Sequence, residues 1–451
     1  MNQTELRGAF SLAAIYLMRM LGLFMIMPVI ALLAPAYPDY SPMLVGLAIG
    51  GYGLTQALMQ IPMGMLSDRF GRKPIIAFGL VMFVAGSVIA AMADSLWMVV
   101  FGRVLQGAGA IAGAVMALAA DISRENQRAK VMAIIGIAIG FSFYLAVIIG
   151  PVIASSMGLS GIFSVTAVLA VLCFPLLFFG VPSIDQAAPR GDTLPSLEGI
   201  RQLVSEPSLW RLNISVLLLH CLITLIFVQL PVLFLNQGWQ LAEHWTLYLP
   251  ILIASIFGMA LLMGLQRKLL GGHIMRLSIL MLAMACSGLA WHGEKALFLF
   301  FFVWVFFSAF NYLEANFPAL VSSIAPAGQK GSAMGIYASF QFFGAFLGGV
   351  LSGYLSGHFD IHTVFVTATG MCVLWLFMFV GFQGAQHLKR YTLAYNLPGV
   401  STEELRELFG NIDGIIDFTI VPQESAVYLK VDSQVFDLQQ ARKIANPESA
   451  S

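Results

Sequence analysis

Apolar stretches of about 20 residues recur along this chain, and they constrain its fold more than any other feature, because a helix of that length crosses a bilayer. Of the 451 residues, 59% are hydrophobic and 10% are charged, and the mean hydropathy is +0.85. The sequence therefore predicts an all-α polytopic membrane protein. Its twelve predicted transmembrane helices occupy Gly8–Leu33, Val45–Leu66, Pro74–Met92, Leu96–Ala120, Met132–Met157, Gly161–Val181, Trp210–Phe234, Trp245–Leu265, Met275–Trp291, Ala296–Ser322, Gly331–Leu355 and Val364–Gly381.

Lysine and arginine are unevenly distributed over the connections between these helices. The even-numbered connections are basic, whereas the odd-numbered ones hold only Lys295. Because positive charge is retained on the cytoplasmic side of a membrane, we expect both termini in the cytoplasm and the chain in a bacterial-type inner membrane. The basic residues of the even-numbered connections are Arg69, Arg72, Lys73, Arg124, Arg128, Lys130, Arg190, Arg201, Arg267, Lys268 and Lys330.

One long polar stretch, Pro182–Pro207, separates the first six helices from the last six. The predicted units are an N-terminal bundle at 1–181, a cytoplasmic linker at 182–207, a C-terminal bundle at 208–385 and a soluble domain at 386–451. The linker has a short apolar face at helical spacing, which predicts an amphipathic helix lying along the inner leaflet. That face consists of Leu197, Ile200, Leu203 and Val204.

The two halves of the membrane part repeat each other at matching places. Gly64–Gly71 is echoed 200 positions later by Gly264–Gly271, with both glycines in register. Gln127–Ile134 is echoed about 200 positions later by Gln329–Ile336. Parallel halves related by an axis along the membrane normal are a known plan of transporters, in which the substrate binds near the midplane between the halves.

The last 66 residues, from Gln386, differ from the rest in being acidic and in showing strand-like and helix-like periods in short succession. The order βαββα predicts a small α+β ferredoxin-like domain. Since this segment contains no cysteine, metal carriage through a Cys-x-x-Cys loop is excluded. A regulatory ligand, self-association or a stabilising appendage remain open, and we favour regulation. The predicted elements are Arg390–Leu397, Thr402–Phe409 with a capping box from Ser401 and Glu404, Ile415–Val421, Ala426–Val431 and Phe436–Ile444.

A glycine-bounded basic turn joins the second and third predicted helices. Its residues Gly64, Leu66, Asp68, Arg69, Gly71, Arg72 and Lys73 resemble the signature motif of the major facilitator superfamily at every defining position. The run Arg103-x-x-Gln106-Gly107-x-Gly109 resembles a second motif found in proton-coupled members of that family. The resemblance, which spans the whole chain, implies a secondary transporter of the drug:proton antiporter kind, with a proton gradient as its energy source and no cofactor.

The residue types of this turn indicate what it can do. The two glycines permit close helix approach and a tight turn, while Asp68 can cap a helix N-terminus and pair with Arg72 four residues on. We predict a conformational latch in which Asp68 faces the helix beginning near Gly331 and Arg72 faces Asp121, holding an outward-open state. Lys268 replaces the aspartate in the echo, so the latch belongs to the first half alone. The alternative is a positive-inside turn with local ion pairs.

Ionisable residues inside a membrane cost roughly 2.5 to 3.5 kcal/mol each on insertion scales, so each needs a reason. Glu314 is the first candidate for the coupling proton, because a carboxyl in a cavity of low dielectric can load and release a proton. The alternative is a structural acid hydrogen-bonded to a neighbouring helix. His220 is either a second titrating group or a buried hydrogen-bonding residue. Asn311, one helical turn before Glu314, is assigned to the same cavity.

Two arginines also lie within predicted helices, and they keep their charge at any physiological pH. Arg19 and Arg103 can attract anionic groups or tune a nearby acid, or they can pin helices together through backbone carbonyls. The motif resemblance favours a functional role for Arg103 with Gln106. Gly150 and Pro151 partly resemble the motif that marks antiporters of the superfamily, and a proline within a helix also permits a kink that shapes the cavity.

The leading hypothesis is an efflux antiporter that exchanges protons for small organic or drug-like solutes, with the lipid bilayer, protons and solute as its partners. A proton symporter for uptake, or a non-transporting sensor that signals through residues 386–451, are the alternatives. No phosphate-binding loop typical of ATP-driven pumps occurs in the sequence, and no patch typical of nucleic-acid binding stands out. The cysteines have no paired spacing, which predicts neither disulfides nor a metal site; they are Cys173, Cys221, Cys286 and Cys372.

Overall fold

A computed structural model shows how these segments fold. It describes residues 1–182, 197–267, 271–326, 329–382, 388–395, 400, 402–422, 425–432 and 435–445. Within those ranges the membrane part consists of helices at Gln3–Phe24 (α1), Ile30–Leu33 (α2), Pro42–Phe70 (α3), Arg72–Ala91 (α4), Leu96–Ala108 (α5), Ala112–Asp121 (α6), Glu125–Pro175 (α7), Leu197–Ser205 (α8), Pro207–Asn236 (α9), His244–Gln266 (α10), Gly271–His292 (α11), Ala296–Ile324 (α12), Lys330–His358 (α13) and Ile361–Met378 (α14).

The predicted division into twelve transmembrane helices is confirmed, and two of the twelve lie in one long segment. The described residues form 11 segments long and apolar enough to cross a membrane. One of these contains α7, whose 51 residues are interrupted by the non-helical backbone of Gly158 (φ 63°, ψ −162°). The fifth and sixth predicted helices are therefore the two arms of α7, which meet at Gly158.

The sequence predicted one continuous fourth helix, Leu96–Ala120. The structure shows that this helix is interrupted. It divides into α5 and α6 around Gly109, whose backbone (φ −77°, ψ 47°) leaves the helix. The cause is close packing, because a Cβ atom on Gly109 would lie 2.2 Å from the carbonyl oxygen of Gly79 on α4. The break leaves the Gly109 carbonyl available to a side chain of another helix.

The halves meet most closely along α3 and α13. The end of the molecule that carries the basic connections is called the basic end, and the other is called the opposite end. The close contact lies at the opposite end. A Cβ atom on Gly46 would lie 2.1 Å from the carbonyl oxygen of Gly349, and one on Gly349 would lie 2.4 Å from that of Gly46. Toward the basic end, by contrast, Cβ atoms on Gly64 and Gly335 would meet no atom within 4 Å. This seam between α3 and α13 is therefore tight at the opposite end and looser at the basic end.

The buried apolar side chains follow the same division. One cluster extends from Leu21 to Phe382 and joins the opposite end of the first half to the whole second half. A separate cluster runs from Ala9 to Val181 and draws its buried members from the first half alone, mostly toward its basic end. Within the described residues, the two halves thus share a continuous core at the opposite end.

The linker contains the predicted helix as α8. Leu203 is buried in the core shared by the two halves, so this part of the helix faces protein. The side chains of Leu197 and Ile200 lie outside the described part of the chain. Residues 183–196 lie outside it as well.

The C-terminal domain has the predicted βαββα order. Its strands Leu388–Ala394 (β1), Ile415–Val421 (β2) and Ala426–Asp432 (β3) form an antiparallel sheet in the order β1-β3-β2. The helices Thr402–Gly410 (α15) and Leu438–Ala445 (α16) contribute Leu405, Phe409 and Ala441 to the core over the sheet. The predicted elements are confirmed to within a few residues at their ends, and Ser401 of the capping box lies outside the described residues.

Candidate functional site

The turn between α3 and α4 is set by the backbone of Gly71. Its dihedral angles (φ 94°, ψ 153°) lie in a region open essentially to glycine alone. This single residue ends α3 at Phe70 and lets α4 begin at Arg72. Gly71 thereby holds the side chains on either side of it in place.

Replacing Gly71 by alanine is expected to lower the free energy of unfolding by about 1 to 3 kcal/mol, because a side chain strains this backbone conformation. The measurement is thermal or denaturant unfolding of the purified protein in detergent. Gly64→Ala is the matched control, since its Cβ would meet no atom within 4 Å and alanine favours a helix by about 0.5 to 1 kcal/mol. Equal destabilisation by both changes would contradict this account of the turn.

Arg72 binds both predicted acidic partners. Its Nη1 lies 2.6 Å from Asp68 Oδ1, and its Nε lies 3.3 Å from Asp121 Oδ2. The same Nη1 donates to Ser67 Oγ at 2.7 Å. Arg72 therefore ties the end of α3 to the end of α6. The capping of α13 by Asp68 stays a prediction, as does the switching role of the whole turn.

The other basic residues of the motif make separate contacts, and a second ion pair lies outside the motif. Lys73 Nζ donates to the carbonyl oxygen of Val181 at 2.7 Å, and the Arg69 guanidinium lies 5.4 Å from the centre of the Phe70 ring. Glu5, which is 2% exposed, accepts from Arg124 Nε at 2.8 Å and from Arg124 Nη2 at 3.1 Å.

The short turn between α6 and α7 is thus held from two sides, by Arg72 through Asp121 and by Glu5 through Arg124. Glu5 was not among the residues predicted from the sequence. Its signal was the capping box that it forms with Asn2 at the start of α1.

In the second half, the two predicted proton carriers lie together with a third residue. His220 of α9 and Glu314 of α12 approach to 3.8 Å between Nε2 and Oε2. Gln341 of α13 stands between them, with its Nε2 at 3.0 Å from Glu314 Oε1 and at 2.8 Å from His220 Nε2. Three helices therefore converge on one polar cluster. Gln341 was missed because an uncharged amide does not carry the membrane cost that singled out the others.

The contacts of His220 limit the hydrogen-bonding roles of its two ring nitrogens. Its Nδ1 lies 3.2 Å from the Val216 carbonyl oxygen, which can only accept, and its Nε2 faces the amide nitrogen of Gln341, which can only donate. A neutral imidazole with its hydrogen on Nδ1 would satisfy both contacts. The second carboxyl oxygen of Glu314, Oε2, makes no hydrogen bond within the described part of the chain.

Asn311 joins the two halves directly. Its Nδ2 donates to the Tyr144 hydroxyl of α7 at 3.1 Å and to Ser255 Oγ of α10 at 3.0 Å. Tyr144 belongs to the first half, whereas the other two belong to the second. This contact lies near the middle of each of the three helices, which places Asn311 at a junction between the two halves.

The two intramembrane arginines contact backbone carbonyls of neighbouring helices. Arg19 Nη2 donates to Gln56 Oε1 at 3.0 Å and to the freed carbonyl of Gly109 at 2.9 Å. Arg103 Nε donates to the Ala48 carbonyl at 2.9 Å, and its Nη1 donates to Gln106 Oε1 at 2.8 Å. These contacts fit the pinning role that the sequence left open for both arginines. A coupling role for either stays a prediction.

Gly150 and Pro151 lie within the first arm of α7. A Cβ atom on Gly150 would lie 2.7 Å from the carbonyl oxygen of Met25, so this glycine allows α7 to approach the end of α1. The non-helical residue of α7 is Gly158. A kink at Pro151 stays a prediction.

Comparison with known proteins agrees with this architecture. The chain is 36% identical to the inner membrane transport protein YajR of Escherichia coli (strain K12) over 448 residues, which cover 98% of both chains. A bacterial homologue of the human lysosomal transporter Spinster, solved inward-facing and occupied, has a TM-score of 0.68 at 15% identity, over 84% of this chain and 97% of that one. A D-xylose–proton symporter has a TM-score of 0.67 at 15% identity, with the same coverage.

The model of the Major Facilitator Superfamily matches residues 12–311 and 272–409. These matches take in both halves of the membrane part. The relative with the high identity is itself an inner-membrane transport protein. This chain therefore belongs to the major facilitator superfamily, as a multi-pass transporter of the inner membrane.

Proposed function

We propose that this transporter is proton-coupled and exports small organic solutes by antiport, with the proton gradient as its energy source and no cofactor. The observation that carries the proposal is the cluster of Glu314, Gln341 and His220. Two titratable groups lie there in the middle of membrane helices, where an ionisable residue is functional by default.

The exposure of these groups suits proton exchange. The Glu314 side chain is 34% exposed and the His220 side chain 17%, so neither side chain is completely enclosed by the protein. Glu314 Oε2 itself is buried and has no hydrogen-bond partner among the described residues. A structural acid buried between helices would instead have both oxygens hydrogen-bonded.

We further propose that the basic end faces the cytoplasm, as the positive-inside rule requires. The tight α3–α13 seam then lies on the outer side, and the arrangement described above is the one closed to the outside. Alternating access would open this seam and bring the basic ends of the halves together. The ionic cluster of Asp68, Arg72 and Asp121 is positioned to stabilise that second state.

Export is favoured over uptake by the partial antiporter motif at Gly150 and Pro151. The D-xylose–proton symporter shares the fold alone, at 15% identity, so it does not decide the direction of transport.

The direct test is flux into and out of proteoliposomes under an imposed pH gradient, with a broad panel of organic solutes. We expect the pH gradient to drive at least one solute across the membrane in the direction opposite to proton flow. Movement along with the protons would indicate a symporter, and an absence of gradient-dependent flux would support the sensor alternative.

The C-terminal domain is proposed to regulate transport. Lys430 Nζ of β3 donates to the carbonyl oxygen of Ile324 at 2.6 Å, at the C-terminus of α12, where a cation is favoured by the helix dipole. Because α12 also carries Glu314, this contact links the domain to the proposed proton site. We expect Lys430→Ala to change the transport rate while the coupling to protons persists. Loss of coupling in that variant would contradict a regulatory role.

A further inference from the structure

Gln341 occupies a position that neither the motifs nor the charges of the sequence indicate. Its single amide nitrogen donates to Glu314 on one helix and to His220 on another, at 3.0 and 2.8 Å. We propose that Gln341 is a positioning residue that couples the protonation of Glu314 and His220 to movement of α13. This inference rests on the proposed proton coupling.

The chemistry of an amide explains why it can respond to protons. With Glu314 and His220 both deprotonated, their facing atoms accept hydrogen bonds, and the NH2 group of Gln341 can satisfy both. If His220 Nε2 and Glu314 Oε1 both take up protons, they become donors, and only the amide oxygen can accept from them. With a proton on only one of these two atoms, the two demands conflict, unless His220 turns toward Oε2 of Glu314, now 3.8 Å from its Nε2. Protonation of His220 at Nε2 or of Glu314 at Oε1 therefore requires Gln341 to rotate or to move.

Gln341 lies on the helix that forms the seam between the halves. The next residue, Phe342, has its carbonyl oxygen 2.5 Å from where a Cβ atom on Gly53 would lie, and its ring centre is 6.3 Å from that of Tyr52. The tightest contact, between Gly349 and Gly46, follows two turns further along α13. A displacement of Gln341 thus acts on the element that closes the opposite end.

The surroundings leave the pair dependent on Gln341. Within the described residues, His220 is the basic group in ion-pair range of Glu314. The Tyr337 phenol of α13 is buried and interacts electrostatically with Glu314. Other buried titratable side chains on these helices and on the helices that contact them include Tyr312 of α12, Cys221 of α9, Tyr52 of α3, Tyr248 of α10, Cys286 of α11 and Cys372 of α14.

The test measures the seam itself and needs no substrate. Spin labels at Tyr40→Cys and Phe359→Cys would flank the seam, because both positions are exposed and lie just outside α3 and α13, whereas the four native cysteines are buried. The distance between the labels is measured by pulsed electron paramagnetic resonance as a function of pH. In the otherwise unchanged protein, we expect a pH-dependent shift between a short and a long distance.

Gln341→Leu and Gln341→Met remove the amide and keep an apolar side chain of similar length. We expect both to retain the two distances but to lose the pH-dependent shift, or to move its midpoint by more than about one pH unit. Phe343→Leu, at a neighbouring position exposed on the outside of α13, is the matched control and should leave the profile unchanged. Thermal unfolding verifies that each variant is folded.

The outcomes separate the two proposals. If the protein with native Gln341 shows no pH dependence, the proposed proton coupling is wrong. If it shows one and both Gln341 variants keep the same midpoint, proton coupling stands and the role of Gln341 is overturned.

Discussion

Glu314→Gln is expected to reduce pH-gradient-driven flux in proteoliposomes to the level of vesicles without protein. The change keeps the shape of the side chain and its capacity to accept from Gln341, but it removes the proton that Glu314 would carry. Exchange of solute without a pH gradient should persist, because the seam and the core are untouched. The measurement is solute flux with and without an imposed gradient, on the same preparation.

Asp68→Asn is the matched control for this substitution, since it also neutralises one carboxylate by an amide. Asp68 pairs with Arg72 at the basic turn, far along the sequence from the proton site. Because the pair lies away from the proton site, this variant should alter the balance of conformations and retain proton coupling. If both variants lost coupling in the same way, the division of roles between the halves would be wrong.

Gly349→Ala is expected to open the seam at the opposite end. The added Cβ would lie 2.4 Å from the carbonyl oxygen of Gly46, and a backbone atom cannot rotate away as a side chain can. Overpacking of this kind costs about 1 to 3 kcal/mol, which corresponds to a shift of about 5- to 150-fold in the population of the closed seam. The distance between labels at positions 40 and 359 measures this shift directly.

Gly335→Ala is the control on the same helix, because its Cβ would meet no atom within 4 Å. It should leave the distance between the labels unchanged in the closed state. If Gly349→Ala had the same fraction of molecules with a closed seam as the native protein, glycine packing would not be what holds the halves together at this end.

Much of the fold could be predicted because a bilayer imposes one length on every crossing helix. The main departure lies where backbones touch. At Gly109 the crossing of α4 interrupts the fourth helix, whereas the break at Gly158 agrees with the predicted boundary between the fifth and sixth helices. Gly109 does not differ in sequence from glycines that remain helical, such as Gly64. What distinguishes Gly109 is the neighbour that it meets, which a single sequence does not contain.

The charged residues of the candidate site could be predicted from the sequence, but the contacts between them could not. Glu314 and His220 were singled out because each is costly in a membrane, yet they are 94 positions apart in the sequence, and only the packing of α9 against α12 and α13 brings them together. Gln341 and Tyr144 carry no charge and thus gave no signal. Lys268, which replaces the aspartate in the second-half echo, lies outside the described residues, so the asymmetry of the latch stays a prediction.

The most direct test of proton-coupled antiport is proton movement caused by the solute alone. Vesicles containing the purified protein and a pH-sensitive dye are prepared at equal pH inside and outside, and a gradient of a transported solute is then applied. We expect the solute to drive protons in the opposite direction, with no such movement in Glu314→Gln. Solute flux without proton movement in the native protein, or equal proton movement in Glu314→Gln, would contradict the proposed mechanism.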